Sequence, residues 1–76
     1  MEITSEAICM EVARAFDVDH VSPETSLSQL GAQSAGILSL YSRLTVEMNY
    51  EVDIVDLFVA DRVSDIVAVV RSRNAQ

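Results

Sequence analysis

Apolar residues recur at intervals of three and four positions in four separate stretches of this 76-residue chain. That spacing places them along one side of an α-helix, and no stretch alternates like a half-buried strand. Helices are therefore predicted at about residues 4–16, 34–48, 54–58 and 62–73. The pattern indicates an all-α fold, a small four-helix bundle with a short third helix.

The inner faces of these helices are expected to meet in one core. Capping residues are expected where short polar side chains precede a helix: Thr4 or Ser5, then Asp53, then Asp61 or Ser64. The length allows one domain, 1–76, with a modest core. The residues predicted to face inward are Ile8, Val12, Ala15, Phe16, Ile37, Leu40, Tyr41, Leu44, Met48, Val63, Ile66, Val67 and Val70.

A long segment, residues 17–33, separates the first two helices. Loops of this length are uncommon in small domains and are usually either functional or disordered. Val21, Leu27 and Leu30 give this one apolar anchors, and Pro23 and Gly31 restrict or redirect its backbone. We therefore expect an ordered crossover that ends at Ser34.

Ser34 stands at the start of the second helix, where unpaired N–H groups and the helix dipole favour an anion. From position alone, the residue is either a helix cap or the attachment point of a phosphoester. Nucleophilic catalysis is disfavoured because the single histidine, His20, has no evident orienting partner. One histidine and one cysteine also make no metal ligand set.

The overall charge is −7, with five arginines and no lysine. Such a chain is not expected to bind nucleic acid, which requires clustered cations. The apolar runs are too short to span a membrane, and no secretory signal opens the sequence. Cys9 is the single cysteine and is expected to be a reduced core thiol, which fits a reducing compartment. The protein is expected to be cytoplasmic and monomeric.

Several segments together resemble the acyl carrier proteins and their peptidyl carrier relatives. The run Leu30-Gly31-Ala32-Gln33-Ser34 is similar to the family's attachment motif. Residues 23–27, 56–58 and 63–70 resemble its loop, third helix and closing helix. The resemblance implies that Ser34 receives 4′-phosphopantetheine from coenzyme A through a phosphopantetheinyl transferase. It also implies a carrier that catalyses nothing itself and serves acyl- or aminoacyl-loading enzymes, ketosynthases and other transferases.

The chain departs from fatty-acid-type carriers around the serine. Those carriers usually have aspartate before it and leucine after it, where this chain has Gln33 and Ala35. The outer face of the second helix is small and neutral, with Arg43 at its edge. Partners are therefore expected to dock through van der Waals and hydrogen-bond contacts at Ser39, Ser42 and Val46. Charge steering is assigned to acids around the third helix, above all Asp56; the acids of this region are Glu51, Asp53, Asp56, Asp61 and Asp65.

The leading interpretation is a free-standing carrier that holds acyl intermediates as thioesters for a polyketide or related pathway. An aminoacyl or peptidyl carrier is the first alternative, favoured by the neutral Gln33. A helical interaction module in which Ser34 is never modified is the second. Leu38, Tyr41 and Met48 are candidates for contacting a sequestered chain, although core packing is favoured for the last two.

Overall fold

Four α-helices make up the fold of the chain, seen in a computed structural model that describes residues 3–31 and 34–75. Within those two ranges no residue belongs to a strand, although Ser26 and Arg62 form an isolated antiparallel bridge. The predicted all-α fold with a long first loop and a short third helix is confirmed. The helices are α1 (Ser5–Ala15), α2 (Ser34–Ser42), α3 (Ile54–Val59) and α4 (Val63–Asn74).

The core lies where the helices meet. Helix α1 packs against α2 and α4, and α3 packs against the same two helices. The predicted inner face of α4 is buried throughout, whereas Tyr41 and Met48 pack against the core from its edge. Every helix supplies at least one fully buried side chain, and the largest are Ile8, Leu40, Leu44, Leu57, Ile66, Val12, Val63 and Val70.

The second helix ends differently from the prediction, because a π-helical turn over Arg43–Glu47 follows α2. In this turn the N–H of Met48 donates to the carbonyl of Arg43, five residues earlier, at 3.0 Å. The Thr45 hydroxyl donates to the Tyr41 carbonyl at 2.7 Å, a local bond that competes with the regular helix ladder. The prediction of a continuous α-helix to residue 48 is therefore wrong in its last turn.

The long first loop is ordered by burial, as predicted. Val21 and Leu27 are buried, and Leu30 is half-buried against the core. A 3₁₀ turn over Leu27–Leu30 gives the end of the loop regular structure. The described part of the loop is thus attached to the bundle at Val21, Leu27 and Leu30.

Backbone hydrogen bonds join this loop to the start of α4. The carbonyls of Thr25 and Pro23 accept from the first two N–H groups of α4, at 3.1 and 2.8 Å. The N–H of Leu27 donates in turn to the carbonyl of Asp61 at 2.9 Å. Loop and helix therefore satisfy each other's backbone groups, which would otherwise need water or side-chain partners.

The helix caps agree with the sequence at α1 and α3. The Thr4 hydroxyl accepts from the N–H of Ala7 at 3.2 Å, as expected of a cap. The Asp53 carboxylate accepts from the N–H of Val55 at 3.3 Å. Both short polar residues therefore act as predicted.

The predicted cap of α4, Asp61 or Ser64, is wrong. Arg62 occupies the cap position, and the loop carbonyls already take the first amides of the helix. The carboxylate of Asp65 reaches back instead and accepts from the N–H groups of Asp61 and Arg62 at 3.0 and 2.9 Å. The hydrogen bonds from Arg62 and Asp61 lower the pKa of Asp65 below its usual value.

Replacing Asp65 with asparagine should lower the free energy of unfolding at neutral pH. It should also make the decrease of that free energy in acid smaller. The folded-state pKa of Asp65 is depressed, so its contribution is complete above about pH 4, the unfolded value. The contribution disappears as the pH falls through the folded-state pKa. Urea midpoints of wild type and Asp65→Asn should therefore differ at neutral pH and converge in acid. Parallel curves over that range would contradict this role.

Candidate functional site

The turn before α2 depends on a glycine. Gly31 adopts φ 67° and ψ 48°, the left-handed conformation that L-residues with a Cβ rarely adopt. Its N–H donates to the carbonyl of Ser28 at 3.1 Å and closes the 3₁₀ turn. Gly31 stands three positions before the first residue of α2.

Ser34 is the first residue of α2. The sequence-predicted position at a helix start is therefore confirmed for its backbone. Its side chain lies outside the described part of the structure, as do Ala32 and Gln33. The first turn of an α-helix presents unpaired N–H groups and partial positive charge, which stabilise a phosphate or another anion.

The start of α2 lies directly against the end of α1. A Cβ built on Gly36 would overlap Cε1 of the Phe16 ring, so only glycine fits there without movement. Phe16 is half-buried and packs against the core. The contact fixes how closely the first turn of α2 approaches α1.

The predicted docking residues of α2 differ in exposure. Ala35, Ser42 and Val46 are exposed, Val46 at 75%, whereas Ser39 is half-buried. Gln33 lies outside the described residues. Leu38, a candidate for contact with a sequestered chain, is 55% exposed and does not belong to the core.

Helix α3 presents an exposed apolar surface that sequence reasoning missed. Val55, Phe58 and Val59 are each more than half exposed, while Leu57 is fully buried. The signal was available in the sequence, because a six-residue helix that buries Leu57 must turn the positions on its opposite side outward. Together with Leu38 and Val46, these residues place apolar side chains on the outside of both α2 and α3.

The positive charge of Arg43, predicted at the edge of the second helix, is paired with two acids. Its guanidinium pairs with Glu11 at 3.4 Å and with Glu47 at 3.6 Å. The Glu11 side chain is only 7% exposed and also binds Arg14 at 3.2 Å. Sequence reasoning missed this buried acid, although Glu11 lies three residues after Ile8, on the inward side of α1.

Asp56 is held by a two-point ion pair with α4. Its carboxylate accepts from Nε and Nη2 of Arg73 at 2.8 and 3.0 Å and from the N–H of Asp53 at 3.1 Å. The hydrogen bond from Arg73, with that from Asp53, lowers the pKa of Asp56. Its side chain is only 15% exposed. The acid expected to steer partners therefore also has a structural role.

Within the described residues, no group of three or more His, Cys, Asp or Glu side chains is placed so that it could hold a metal ion. His20 is exposed and lines a pocket beside α1 together with Cys9, which packs against the edge of the core. No helix in the described part of the chain is long and apolar enough to cross a membrane.

Comparison with known protein families gives one match, to a family model described as a phosphopantetheine attachment site. The match covers residues 6–70, from the first turn of α1 into α4, and includes Ser34. Comparisons with curated proteins and with solved structures gave no match.

Adding a methyl group at Gly36 should destabilise the fold through Phe16. Overpacking of this kind typically costs about 1–3 kcal/mol, more than the roughly 1 kcal/mol that alanine gains in helix propensity. Urea unfolding of Gly36→Ala, alone and combined with Phe16→Ala, measures the effect. The cost should shrink when the ring is absent. An equal cost in both backgrounds would mean that the ring is not its cause.

Proposed function

We propose that Ser34 carries the prosthetic arm of this chain, which belongs to the phosphopantetheine attachment family. Members of this family carry covalently attached 4′-phosphopantetheine and act as acyl carriers rather than catalysts. When bound, the arm supplies a terminal thiol on which an acyl group is held as a thioester. The chain is thus a substrate and docking partner of other enzymes, including a phosphopantetheinyl transferase.

The position of Ser34 as the first residue of α2 is the observation that carries this assignment. Two other serines lie at helix starts, Ser5 in α1 and Ser64 in α4. Neither of them has a glycine three positions before it, because the two glycines of the chain are Gly31 and Gly36. The left-handed turn at Gly31 lies three positions before Ser34, as in the attachment motif that the chain resembles.

The residues around Ser34 support the transfer of an arm in distinct ways. In the transfer, the Ser34 oxygen would form a phosphoester bond as the pyrophosphate P–O bond of coenzyme A breaks, and adenosine bisphosphate and the hydroxyl proton would be released. The first amides of α2 then lie near a negative charge, which the helix dipole stabilises. The ring of Phe16 lies against Gly36, so the first turn of α2 is in contact with the end of α1.

A polyketide or related pathway is the proposed context. The sequence supports this through Gln33 and Ala35, which replace the acidic and bulky neighbours usual in fatty-acid-type carriers. The exposed Leu38 and Val46 favour apolar docking on α2. A peptidyl carrier is the alternative, favoured by the same neutral face, and the mass of the native cargo distinguishes the two.

Partner docking is proposed at Ser39, Ser42 and Val46, with Ala35 and Gln33 beside the attachment point. Val46 is 75% exposed, and Ser42, four positions earlier, is exposed as well. Steering by charge is assigned to the acids around α3, including Asp56, because complementary charge speeds encounter more than it strengthens binding. The docking contacts and the steering field thus come from neighbouring parts of one surface.

Modification of Ser34 is tested by intact mass. After incubation with coenzyme A and a permissive phosphopantetheinyl transferase, the wild-type chain should gain the mass of one phosphopantetheine. Ser34→Ala should gain none, whereas Ser5→Ala and Ser64→Ala, the other serines at helix starts, should gain it in full. No gain in wild type, or an undiminished gain in Ser34→Ala, would falsify the assignment.

Steering by Asp56 must be separated from its ion pair with Arg73. Asp56→Asn and Arg73→Gln break the same pair but change the net charge in opposite directions. Steering predicts that Asp56→Asn lowers kcat/KM for arm transfer several-fold at low salt, and that Arg73→Gln does not. Ser42→Ala should have a smaller effect than Asp56→Asn.

Two results would contradict steering by Asp56. One is an equal loss in Asp56→Asn and Arg73→Gln, which would assign the effect to the broken ion pair. The other is a larger loss in Ser42→Ala than in Asp56→Asn. Repeating the measurement in high salt should remove the difference between the two charge variants, since exposed charges are screened.

A further inference from the structure

A pocket of about 500 Å³ lies between α1 and the following loop, and within the described part of the chain neither α2 nor α3 contributes to its lining. Its volume falls within the roughly 300–1,000 Å³ typical of ligand sites. Ala13 and Val21 are buried members of its lining, and Cys9 is half-buried. The interior is therefore apolar and continuous with the core.

The edge of this pocket is acidic and adaptable. Glu6 and Asp19 line it and are exposed, and no arginine is among the described lining residues. Glu6 and Glu24 add to burial in raising the pKa of the Cys9 thiol, so their negative charge reaches the pocket. Met10, 53% exposed at the same site, has a flexible thioether side chain that adjusts to irregular partners.

We propose that this pocket is a docking site for a segment of a partner protein that presents an apolar side chain beside lysine or arginine. The apolar lining would take the side chain, and Glu6 and Asp19 would pair with the cations. A second copy of this chain is a poor occupant, because each copy carries a net charge of −7. An acidic ligand is disfavoured for the same reason.

This pocket is separate from the surface on which partners are proposed to dock for transfer at Ser34. Its described lining comes from α1 and from residues 19–23, whereas the proposed transfer surface lies on α2 and α3. A partner held here would leave α2 exposed, so that the chain could be tethered while its arm is used. The proposal does not depend on modification of Ser34.

A peptide of leucine and lysine serves as the probe. It is titrated into Ser34→Ala, which lacks the attachment serine, and binding is followed by fluorescence anisotropy and by backbone amide shifts. We expect the shifts to centre on Cys9, Met10 and Val21. A peptide with serine in place of leucine should bind more weakly. Shifts centred on α2 or α3 instead would overturn the proposal.

Matched charge variants separate the pocket from general attraction to an acidic protein. The double variant Glu6→Gln/Asp19→Asn should weaken binding by about fivefold, as expected for two exposed ion pairs. Glu51→Gln/Asp61→Asn removes the same charge elsewhere and should leave the affinity nearly unchanged. An equal loss in both would assign binding to net charge and overturn the proposal.

The single thiol gives an independent check of the apolar interior. Alkylation of Cys9 with a bulky maleimide should block the leucine–lysine peptide, whereas Cys9→Ala should still bind it. Amide spectra of both proteins report whether the fold is intact. Undiminished binding to a folded, fully alkylated protein would mean that the peptide does not enter this pocket.

Discussion

The backbone hydrogen bonds between the first loop and the start of α4 are the constraint on which the rest of the structure depends. A loop of this length costs conformational entropy, and polar backbone groups drawn onto a core must find partners. Here the carbonyls of Pro23 and Thr25 find them in the first amides of α4. The exchange orders the loop and caps the helix at once. It also ties Leu27, the first residue of the 3₁₀ turn that Gly31 ends, to the carbonyl of Asp61.

Periodicity predicted the helices and their inward faces because burial repeats with the helical turn, and that signal is local. Asp53 and Thr4 were found for the same reason, since each caps the helix that follows it. The hydrogen bonds at the start of α4 could not be predicted in this way. Its amides bind carbonyls almost forty residues earlier in the chain, and no side-chain pattern records a backbone acceptor.

The departures around the candidate site have a similar origin. The π-helical turn reflects a local competition, the Thr45 hydroxyl against the helix ladder, whose outcome propensity does not decide. The Glu11–Arg43 and Asp56–Arg73 ion pairs join separate elements, so these two pairs appear only when the bundle is assembled. The contact of Gly36 with the ring of Phe16 likewise joins two elements that are distant in the sequence.

The short length of α3 affects how readily this part of the bundle opens. At six residues it is shorter than the ~12–15 at which isolated helices become even marginally stable in water. It persists because Leu57 is buried, Asp53 caps it and Arg73 holds Asp56 from the neighbouring helix. Even with Ile54 packed against the edge of the core, these attachments are few, so this segment should open and exchange its amide hydrogens before the rest of the bundle. The face that presents Val55, Phe58 and Val59 would then be the part of the chain best able to reshape itself against different partners.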